Sequence, residues 1–545
     1  MTSQPGVGVG AYGRWGAPDH SADLSKPARA LLDEFVGRPQ PQPAVPLADI
    51  HVLPSQLSDM DQDGLRSAVG AAGFDLSQEG RLAAAGGSSF LELLRLRADR
   101  QPDVPDAVVA PQSHDEVAAV LAYCSLRDIA VVPFGGGTSV VGGVTPVRGR
   151  FAALIALSLH RMSGLVSFDS TSHLATFLPG TTGPQAEQAL APHRLTLGHL
   201  PQSWERATVG GWLATRSAGQ NSSGYGRSDE MVESLTVATP VGSLNLGRVP
   251  ASAAGPDLKQ LFVGSEGILG VITEATLRVR ELPEVGRYEG YVFPNWETGV
   301  NVFREFAQHG IKPDIMRLSD PDESHANLVM GTSARTYAVL ERYLNVRRIR
   351  GGALAILGWE GTSDIVAARR SLATSRLRKV GAVKLGERVG EGWKKGRFHA
   401  PFLRDTLLDQ GYLVETLETA TSWENITALR HRLADVLRLA LADDGPGPLV
   451  MSHISHVYET GASLYITVIG RGDQADVRER WTHAKAMASD AIVASGATIT
   501  HHHAVGRDHA PWYEAEVGSL GVEVVRALKQ RLDPNGVMNP GVMIG

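Results

Sequence analysis

Three consecutive histidines, His501, His502 and His503, are the first residues whose types point to chemistry. Imidazole titrates near neutral pH, so it can transfer protons, bind anions when protonated and bind metals when neutral. If the stretch ATITHHH ends a strand, His501 and His503 share one face and His502 points the other way. Neither a cysteine nor an acidic pair stands at a usual metal spacing nearby, and we therefore predict no metal site.

Tyr465 lies in ASLYITV, where alternating residue types predict a strand. On such a strand Tyr465 shares a face with Ser463 and Thr467, while Leu464 and Ile466 face the other way. A tyrosine on a half-buried strand is commonly a packing residue, but its hydroxyl can also move a proton. Tyr458, seven residues earlier, falls on the opposite parity and supports a role for this segment.

Two arginines are candidate anion ligands, because guanidinium groups bind phosphate and carboxylate through paired hydrogen bonds. They are Arg317 in IMRLSD and Arg404 in FLRD. Each arginine could instead have a structural role that involves no bound anion. Arg404 could pair with Asp405 or face solvent, and Arg317 could cap an element of secondary structure.

Three glycine-rich segments punctuate the first half of the chain: PFGGGTSVVGG, ATVGGWLATRSAGQNSSGYG and GSEGILGVITEA. Glycine lets the backbone approach a ligand closely, so that peptide N–H groups can converge on an anion, and neighbouring hydroxyls add hydrogen bonds. Any one segment could be a simple tight turn. Three of them, rich in Ser and Thr, predict a bound pyrophosphate.

The surrounding pattern predicts the elements that position these residues. A strand DAVVAP, a helix begun by the capping box SHDE and a strand IAVVPF form a β-α-β unit before the first glycine segment. Near Pro283 the β-rich pattern gives way to alternating helices and strands. The chain starts with a short helix, KPARALLDEFVG, and a Pro-rich extended connector, and it ends with a helix in PWYEAEVGSLGVEVVRALKQRL.

Composition bounds the function classes. The 545 residues are 43% hydrophobic and carry a formal charge of −6, which gives material for two or three domains and no basic groove for a nucleic acid. The single cysteine, Cys124, lies in the helical run EVAAVLAYCSLRD, where we expect it in a core. It excludes an internal disulfide and favours a reducing, cytoplasmic location. We find no run of about eighteen apolar residues.

The three glycine segments, in this order, resemble those of flavoproteins of the vanillyl-alcohol oxidase type, which carry a PCMH-type FAD-binding domain. The resemblance spans roughly Pro102 to Arg280. It implies an α+β fold with a FAD-binding domain and an α+β cap domain. The boundaries we expect are an N-terminal helical and extended arm (1–100), the FAD-binding domain (101–283), the substrate or cap domain (284–500) and a C-terminal segment completing the active site (501–545).

The same resemblance implies which residues bind FAD. Covalent members of the family often attach the flavin through a histidine in the first glycine segment, and this chain has none there, so we predict noncovalent FAD. The implied FAD-binding residues are Pro133, Gly135, Gly136, Gly137, Thr138, Ser139, Pro201, Ser203, Thr208, Gly210, Gly211, Ser217, Gly224, Glu266, Gly267 and Ile272.

Further motifs resemble the alkyldihydroxyacetonephosphate synthases, the flavoenzymes of ether-lipid synthesis. They are RWG, GHLPQSWERATVGGW, KPDIMRLSD, FLRDTLLDQGYLVETLETATSWENI, YETGASLYITV and THHHAVGR. This resemblance implies that Tyr465 is the catalytic tyrosine and that Arg317, Arg404 and His199 bind substrate. It makes Arg404 and the histidines 501–503 catalytic as well, the histidines as phosphate and proton-transfer groups.

The chain departs from that family's pattern at one place. After the turn that follows the histidines the family has a lysine, whereas Arg507 and Asp508 follow Gly506 here. Arginine keeps the positive charge, but Asp508 adds an opposite one, which leaves the effect on substrate binding open.

The reaction implied by the resemblance exchanges the acyl group of 1-acyl-dihydroxyacetone phosphate for a long-chain alcohol. An ether forms without net redox. The alternative is a related FAD-linked 2-hydroxy-acid dehydrogenase or oxidase of the D-lactate or glycolate type. A third hypothesis, a flavin-bearing scaffold without activity, is disfavoured by the intact Tyr465, Arg404 and histidines.

The expected partners are small lipid molecules and a second copy of the chain in a homodimer, with no nucleic acid. Two long chains need an apolar channel, which the sequence does not locate. Peripheral contact of the cytoplasmic protein with a membrane surface stays a hypothesis.

Overall fold

The computed structural model describes residues 12–16 and 24–544. The first residues of the predicted arm therefore lie largely outside the described part. The helices are α1 Lys26–Phe35, α2 Asp59–Val69, α3 Gln78–Ala83, α4 Phe90–Ala98, α5 His114–Leu126, α6 Gly183–Leu190, α7 Val209–Ala214, α8 Ser222–Tyr225, α9 Ser228–Met231, α10 Trp296–Gln308, α11 Pro321–Gly331, α12 Ala334–Val346, α13 Ser363–Lys379, α14 Glu387–Gly396, α15 Ala400–Asp409, α16 Ile426–Ala440, α17 Val477–Ala494 and α18 Tyr513–Leu532.

Within residues 12–16 and 24–544 the strands form four sheets. They are β1 Phe74–Asp75, β2 Ala107–Val109, β3 Ile129–Phe134, β4 Ala153–Ser158, β5 Leu165–Asp169, β6 Leu174–Phe177, β7 Leu195–Thr196, β8 Val232–Thr239, β9 Gly242–Leu246, β10 Val271–Arg278, β11 Arg280–Glu281, β12 Val285–Phe293, β13 Ile315–Ser319, β14 Ala353–Gly361, β15 Val383–Gly386, β16 Tyr412–Ser422, β17 Leu449–Ile454 and β18 Gly461–Arg471.

A four-stranded sheet, β1-β2-β4-β3, carries the predicted β-α-β unit. Strands β2, β4 and β3 run parallel, and their continuous apolar sequences suit strands covered on both faces. Helix α5 packs Cys124 into this core, as we expected. Ser113 caps the helix, but the predicted capping box is wrong: the Glu116 carboxylate accepts the N–H of Gln112 instead of that of Ser113.

A five-stranded antiparallel sheet, β5-β6-β10-β8-β9, completes the first half. The glycine segments lie between elements of the first half: the first follows β3, the second runs from just before α7 to just after α8, and the third leads into β10. The predicted change of pattern near Pro283 corresponds to the start of β12, the first long strand of a different sheet.

That sheet has seven antiparallel strands in the order β15-β12-β14-β13-β17-β18-β16. One face packs on α10, α13, α16 and α17 in the largest core cluster. The predicted parity of β18 is confirmed: Leu464 and Ile466 are buried in that cluster, whereas Tyr465 and Thr467 are partly exposed on the other face.

Both ends of the chain join the two halves. The N-terminal α4 inserts Phe90 and Leu93 into the core of the seven-stranded sheet. The C-terminal segment returns to the first half, where Val522 and Val542 pack in the core of the five-stranded sheet. Within the described residues, no helix combines the length and the apolar character needed to cross a membrane.

Candidate active site

The three glycine segments meet around one cavity beside the carboxyl end of β3. Nine of the predicted cofactor residues line it: Pro133, Gly135, Ser139, Thr208, Gly210, Gly211, Glu266, Gly267 and Ile272. The sequence interpretation missed other lining residues. Leu159 follows β4, and the rest lie within or beside the same segments: Phe134, Gly143, Val144, Ala214, Thr215, Ser265, Gly270 and Val271.

The other predicted cofactor residues are not in this lining: Gly136, Gly137, Thr138, Pro201, Ser203, Ser217 and Gly224. Two of these glycines are needed for packing. A Cβ at Gly136 would lie 1.9 Å from the carbonyl oxygen of Arg206, and a Cβ at Gly224 would lie 2.4 Å from Oδ1 of Asp314. Gly136 thus joins two glycine segments, and Gly224 joins the first half of the chain to the second.

The cavity wall fits a nucleotide cofactor with a pyrophosphate. A Cβ at Gly135 would lie 2.5 Å from Oγ1 of Thr208, so the missing side chain is what lets two segments close around the cavity. Among the described lining residues Glu266 alone is ionisable. Backbone N–H groups and hydroxyls must therefore meet the anion, as the glycine content predicts.

Glu266 ties this cavity to the C-terminal segment. Its buried carboxylate accepts the N–H groups of Val505 and Gly506, each at 2.8 Å. Burial raises the pKa of Glu266 to about 7, although these backbone hydrogen bonds favour the charged form. The turn after the three histidines is consequently held against the predicted flavin site.

The histidines themselves do not end a strand. Residues 501–503 form a bend, and only Thr498 of the preceding stretch makes a single bridge, with Ala420. The alternating directions expected for a strand are therefore wrong, because a bend lets neighbouring side chains point to the same side. His501 and His502 both turn to one carboxylate.

That carboxylate belongs to Glu418 of β16, which the sequence interpretation did not single out. Its Oε1 lies 2.8 Å from Nδ1 of His501 and 2.8 Å from Nδ1 of His502. Its Oε2 accepts the backbone N–H groups of the same two residues, at 3.0 and 2.9 Å. Burial disfavours the charged form, but the two histidines hold the pKa of Glu418 well below its usual range.

Strand register explains why Glu418 is here. Tyr465 lies directly opposite Glu418 on β16 and directly opposite His453 on β17. Opposed residues on neighbouring strands point to the same face of a sheet. Arg317 on β13 belongs to that face as well, since its second neighbour Ser319 opposes His453.

Tyr465 is enclosed by imidazole rings. Its ring stacks on His453 with centroids 4.9 Å apart, and the edge of His503 meets it at 5.6 Å. Burial raises the pKa of Tyr465 to about 12, although a hydrogen bond with Thr416 and the charge of Arg404 lower it. The phenol is therefore neutral at physiological pH, and it can move a proton only by giving up its own.

Tyr458 is not on β18 as its predicted parity assumed. It lies in the connection between β17 and β18, which turns it toward the histidine bend. Its hydroxyl lies 2.6 Å from Nε2 of His501. His456, from the same connection, stacks on His501 at 4.9 Å and contacts Ser222 of the first half at 2.5 Å.

Both predicted anion ligands are paired with buried carboxylates. Arg404 donates to the carbonyl of Ser88 at 2.7 Å and lies 3.4 Å from Glu415, not beside Asp405. Arg317 lies 2.5 Å from Glu323, which also contacts His453 at 2.8 Å.

His199 lies on the cofactor-domain side, buried against Trp212. Its Nε2 is 3.2 Å from the hydroxyl of Ser217. Burial lowers its pKa to about 3, so the ring is neutral. Among the described residues its Nδ1 has no hydrogen-bond partner.

The two residues that depart from the expected pattern have partners elsewhere. Asp508 pairs with Lys485 at 2.6 Å, and Arg507 donates to the carbonyl of Pro540. The added negative charge is thus neutralised locally, and Arg507 helps hold the chain terminus.

Potential metal ligands also meet at this bend. In the described part of the chain, two overlapping sets bring ligand atoms within 4.8 Å of one another: His456, His501 and His502, and Glu418, His502 and His503. Oε1 of Glu418 and the Nδ1 atoms of His501 and His502 already contact one another there. A site without metal stays our prediction.

Comparison with known proteins bears on the family. A model described as "FAD binding domain" matches residues 105–246, and one described as "FAD linked oxidases, C-terminal domain" matches residues 282–543. An alkyldihydroxyacetonephosphate synthase of Dictyostelium discoideum is 32% identical, covering 84% of this chain and 76% of that protein. A synthase of Trypanosoma brucei brucei is 30% identical, covering 88% and 80%. The chain belongs to the alkyldihydroxyacetonephosphate synthase family.

Solved structures agree. An alkyldihydroxyacetonephosphate synthase that is 29% identical superposes with a TM-score of 0.80, covering 94% of this chain and 92% of that one. A p-cresol methylhydroxylase, 15% identical with a TM-score of 0.68, shares the fold. The predicted α+β, two-domain FAD-binding fold and FAD as cofactor are confirmed. The residue roles and noncovalent attachment stay predictions.

Proposed function

We propose that this member of the synthase family exchanges the acyl group of a 1-acyl-dihydroxyacetone phosphate for a long-chain alcohol. The observation that carries the proposal is the row of Arg317, His453, Tyr465 and Glu418 on one sheet face, met by the bend of three histidines. This arrangement combines anion ligands with neutral proton-transfer groups, and the substrate needs both.

The phosphate would be held by arginine and histidine donors. Arg404 supports this role, because its Nε is buried without a hydrogen-bond partner in the part of the chain that the structure describes. Its charge is shared with Glu415, so a phosphate would complete its hydrogen bonds. Arg317, already paired with Glu323, would act closer to His453 and Tyr465.

Proton transfer would pass through Tyr465. The neutral phenol takes the proton from the substrate carbon while it gives its own proton to a neighbouring base. Burial keeps His503 neutral, with a pKa of about 3, and lowers the pKa of His501. A neutral imidazole accepts a proton at the ring nitrogen that carries no hydrogen, so a histidine of this bend with that nitrogen free suits the task.

FAD would be held by the nine cavity residues named above and would supply an electrophile for the substrate carbon when it is bound. Over one cycle the carbon–oxygen bond to the fatty acid breaks and a carbon–oxygen bond to the alcohol forms. The proton of the alcohol leaves with the carboxylic acid, so no electrons are gained or lost. A cytoplasmic location, a homodimer and peripheral membrane contact remain predictions.

The test is to mix purified holoenzyme anaerobically with palmitoyl-dihydroxyacetone phosphate and labelled hexadecanol, while recording ether product and the flavin spectrum. We expect ether without lasting bleaching. Tyr465→Phe should lose at least about 100-fold in kcat, whereas Tyr343→Phe, on the exposed α12, serves as the matched control and should not. Bleaching by D-lactate or glycolate without any ether would replace this proposal with the 2-hydroxy-acid dehydrogenase.

A further inference from the structure

The Glu418 carboxylate is fully used by the histidine bend. Two backbone N–H groups reach Oε2, and two imidazole Nδ1 atoms reach Oε1. An ionised carboxylate offers about four acceptor positions, so all are occupied. Glu418 therefore orients the main chain of the bend and both of these imidazole rings at the same time.

This contact decides which ring nitrogens carry hydrogen. An Nδ1 atom without hydrogen would place its lone pair against a carboxylate oxygen at 2.8 Å, which is repulsive. Both Nδ1 atoms must therefore donate. The two nitrogens lie 3.1 Å apart, and with both of them donating to the carboxylate neither accepts from the other. In a neutral imidazole the other nitrogen, Nε2, is then the acceptor.

The Nε2 atom of His501 is already occupied. The hydroxyl of Tyr458 donates to it at 2.6 Å, and Tyr458 lies beside Arg227, which is paired with Asp229 at 2.7 Å. His501 thus links two fixed groups. It has no free nitrogen for the substrate.

His502 differs in this one respect. Its Nε2 has no hydrogen-bond partner among the residues that the structure describes. Its ring lies nearly parallel to that of Tyr465, with an interplanar angle of 21° and centroids 6.5 Å apart. The Nε2 lone pair of His502 is thus available to accept a proton.

We infer that Glu418 is a positioning residue that divides the work of two histidines: it fixes the Nδ1–H tautomer of His501 and His502 and leaves Nε2 of His502, but not that of His501, free to accept a proton. The inference rests on the proposed function for the meaning of that proton. The tautomer assignment stands independently of the reaction. When His502 accepts the proton that the proposed reaction releases, it becomes an imidazolium stabilised by Glu418.

The first measurement is the histidine tautomer in the holoenzyme. In protein labelled with ¹⁵N-histidine, the imidazole nitrogen shifts distinguish Nδ1–H from Nε2–H, and His502→Gln identifies the resonance by its loss. We expect Nδ1–H for His502. In Glu418→Gln the side-chain amide must donate toward the rings while its oxygen accepts the backbone, so His502 should change to Nε2–H. An Nε2–H tautomer in the wild-type protein overturns the inference.

The second measurement is kinetic. A histidine base held in the wrong tautomer loses about 10²- to 10⁴-fold in kcat, judged from the serine-protease triad. We expect a loss in that range for Glu418→Gln, with KM changed less than about threefold, and partial rescue by Glu418→Asp, which retains the acceptor. Added to His502→Gln, Glu418→Gln should cost less than about threefold more.

A merely structural Glu418 would give additive losses and no change of tautomer, which refutes the inference. If Glu418→Gln does not fold, Glu418→Asp, His502→Gln and the wild-type tautomer still decide it. Expected tautomers in a protein that makes no ether would refute the proposed function but leave the assignment of Glu418 intact. Ether formation together with additive losses of kcat in the double variant would support the proposed function and refute the assignment of Glu418.

Discussion

Replacement of Gly211 by alanine should lower the affinity for FAD without lowering the stability of the apoprotein. Gly211 lies in α7 and lines the cavity, and a Cβ there would meet nothing nearer than Oγ1 of Thr208 at 3.4 Å. The apoprotein can therefore accept the methyl group, and alanine in place of glycine in a helix contributes about 0.5–1 kcal/mol to stability. The methyl group occupies the space that we assign to the flavin nucleotide.

Overpacking a close contact costs about 1–3 kcal/mol, which corresponds to a roughly 5- to 150-fold higher Kd for FAD. The assay titrates apoprotein with FAD by flavin fluorescence and records the unfolding temperature without cofactor. Gly211→Ala should raise the Kd but not lower that temperature. Gly136→Ala is the matched control, since its Cβ would strike the carbonyl of Arg206 at 1.9 Å and should destabilise the apoprotein itself.

If Gly211→Ala binds FAD within about twofold of the wild-type protein, the cofactor does not contact α7, and our placement of it is wrong. If Gly211→Ala destabilises the apoprotein, α7 does not have room for the added methyl group.

Three further predictions follow from buried groups. Because the pKa of Glu266 is raised from 4.5 to about 7, the folded protein keeps the proton of this carboxyl between those pH values. The free energy of unfolding of the wild-type protein should therefore fall relative to that of Glu266→Gln as pH rises through this window, by at most about 3 kcal/mol. Urea unfolding at several pH values measures this difference, and a rise with pH would contradict the prediction. Cys124, fully buried and with a raised pKa, should react with a thiol reagent only after denaturation; fast labelling of native protein would disprove its burial. Gly224→Ala should lower the free energy of unfolding, measured by urea unfolding, by about 1–3 kcal/mol, since its Cβ would strike Asp314. An unchanged urea midpoint would show that Asp314 moves aside at no cost.

The interpretation of local patterns succeeded where neighbours along the chain decide the structure. The strand ASLYITV has the predicted parity because alternation on a half-buried strand is a local property. The glycine segments predicted a pyrophosphate cofactor because a residue without a side chain lets the backbone at the same position approach a ligand closely. Cys124 could be placed in a core because it follows the apolar face of α5.

The pairing of residues far apart in the chain was beyond the same reasoning. Glu418 lies 83 residues before His501, and nothing in its own segment sets it apart from Glu415. The bend at 501–503 lies where the chain passes from α17 to the first half, and there Glu266 holds the following turn.

The sequence by itself therefore determined the family, the cofactor and the types of residue that could react, since these depend on motifs with characteristic local spacing. Only the tertiary structure decided that one buried carboxylate serves two of three identical histidines and leaves a nitrogen of the second free. The physical reason is that hydrogen-bond direction and strand register belong to the folded arrangement. Three adjacent letters of the same residue become chemically different only when the chain brings different partners to each.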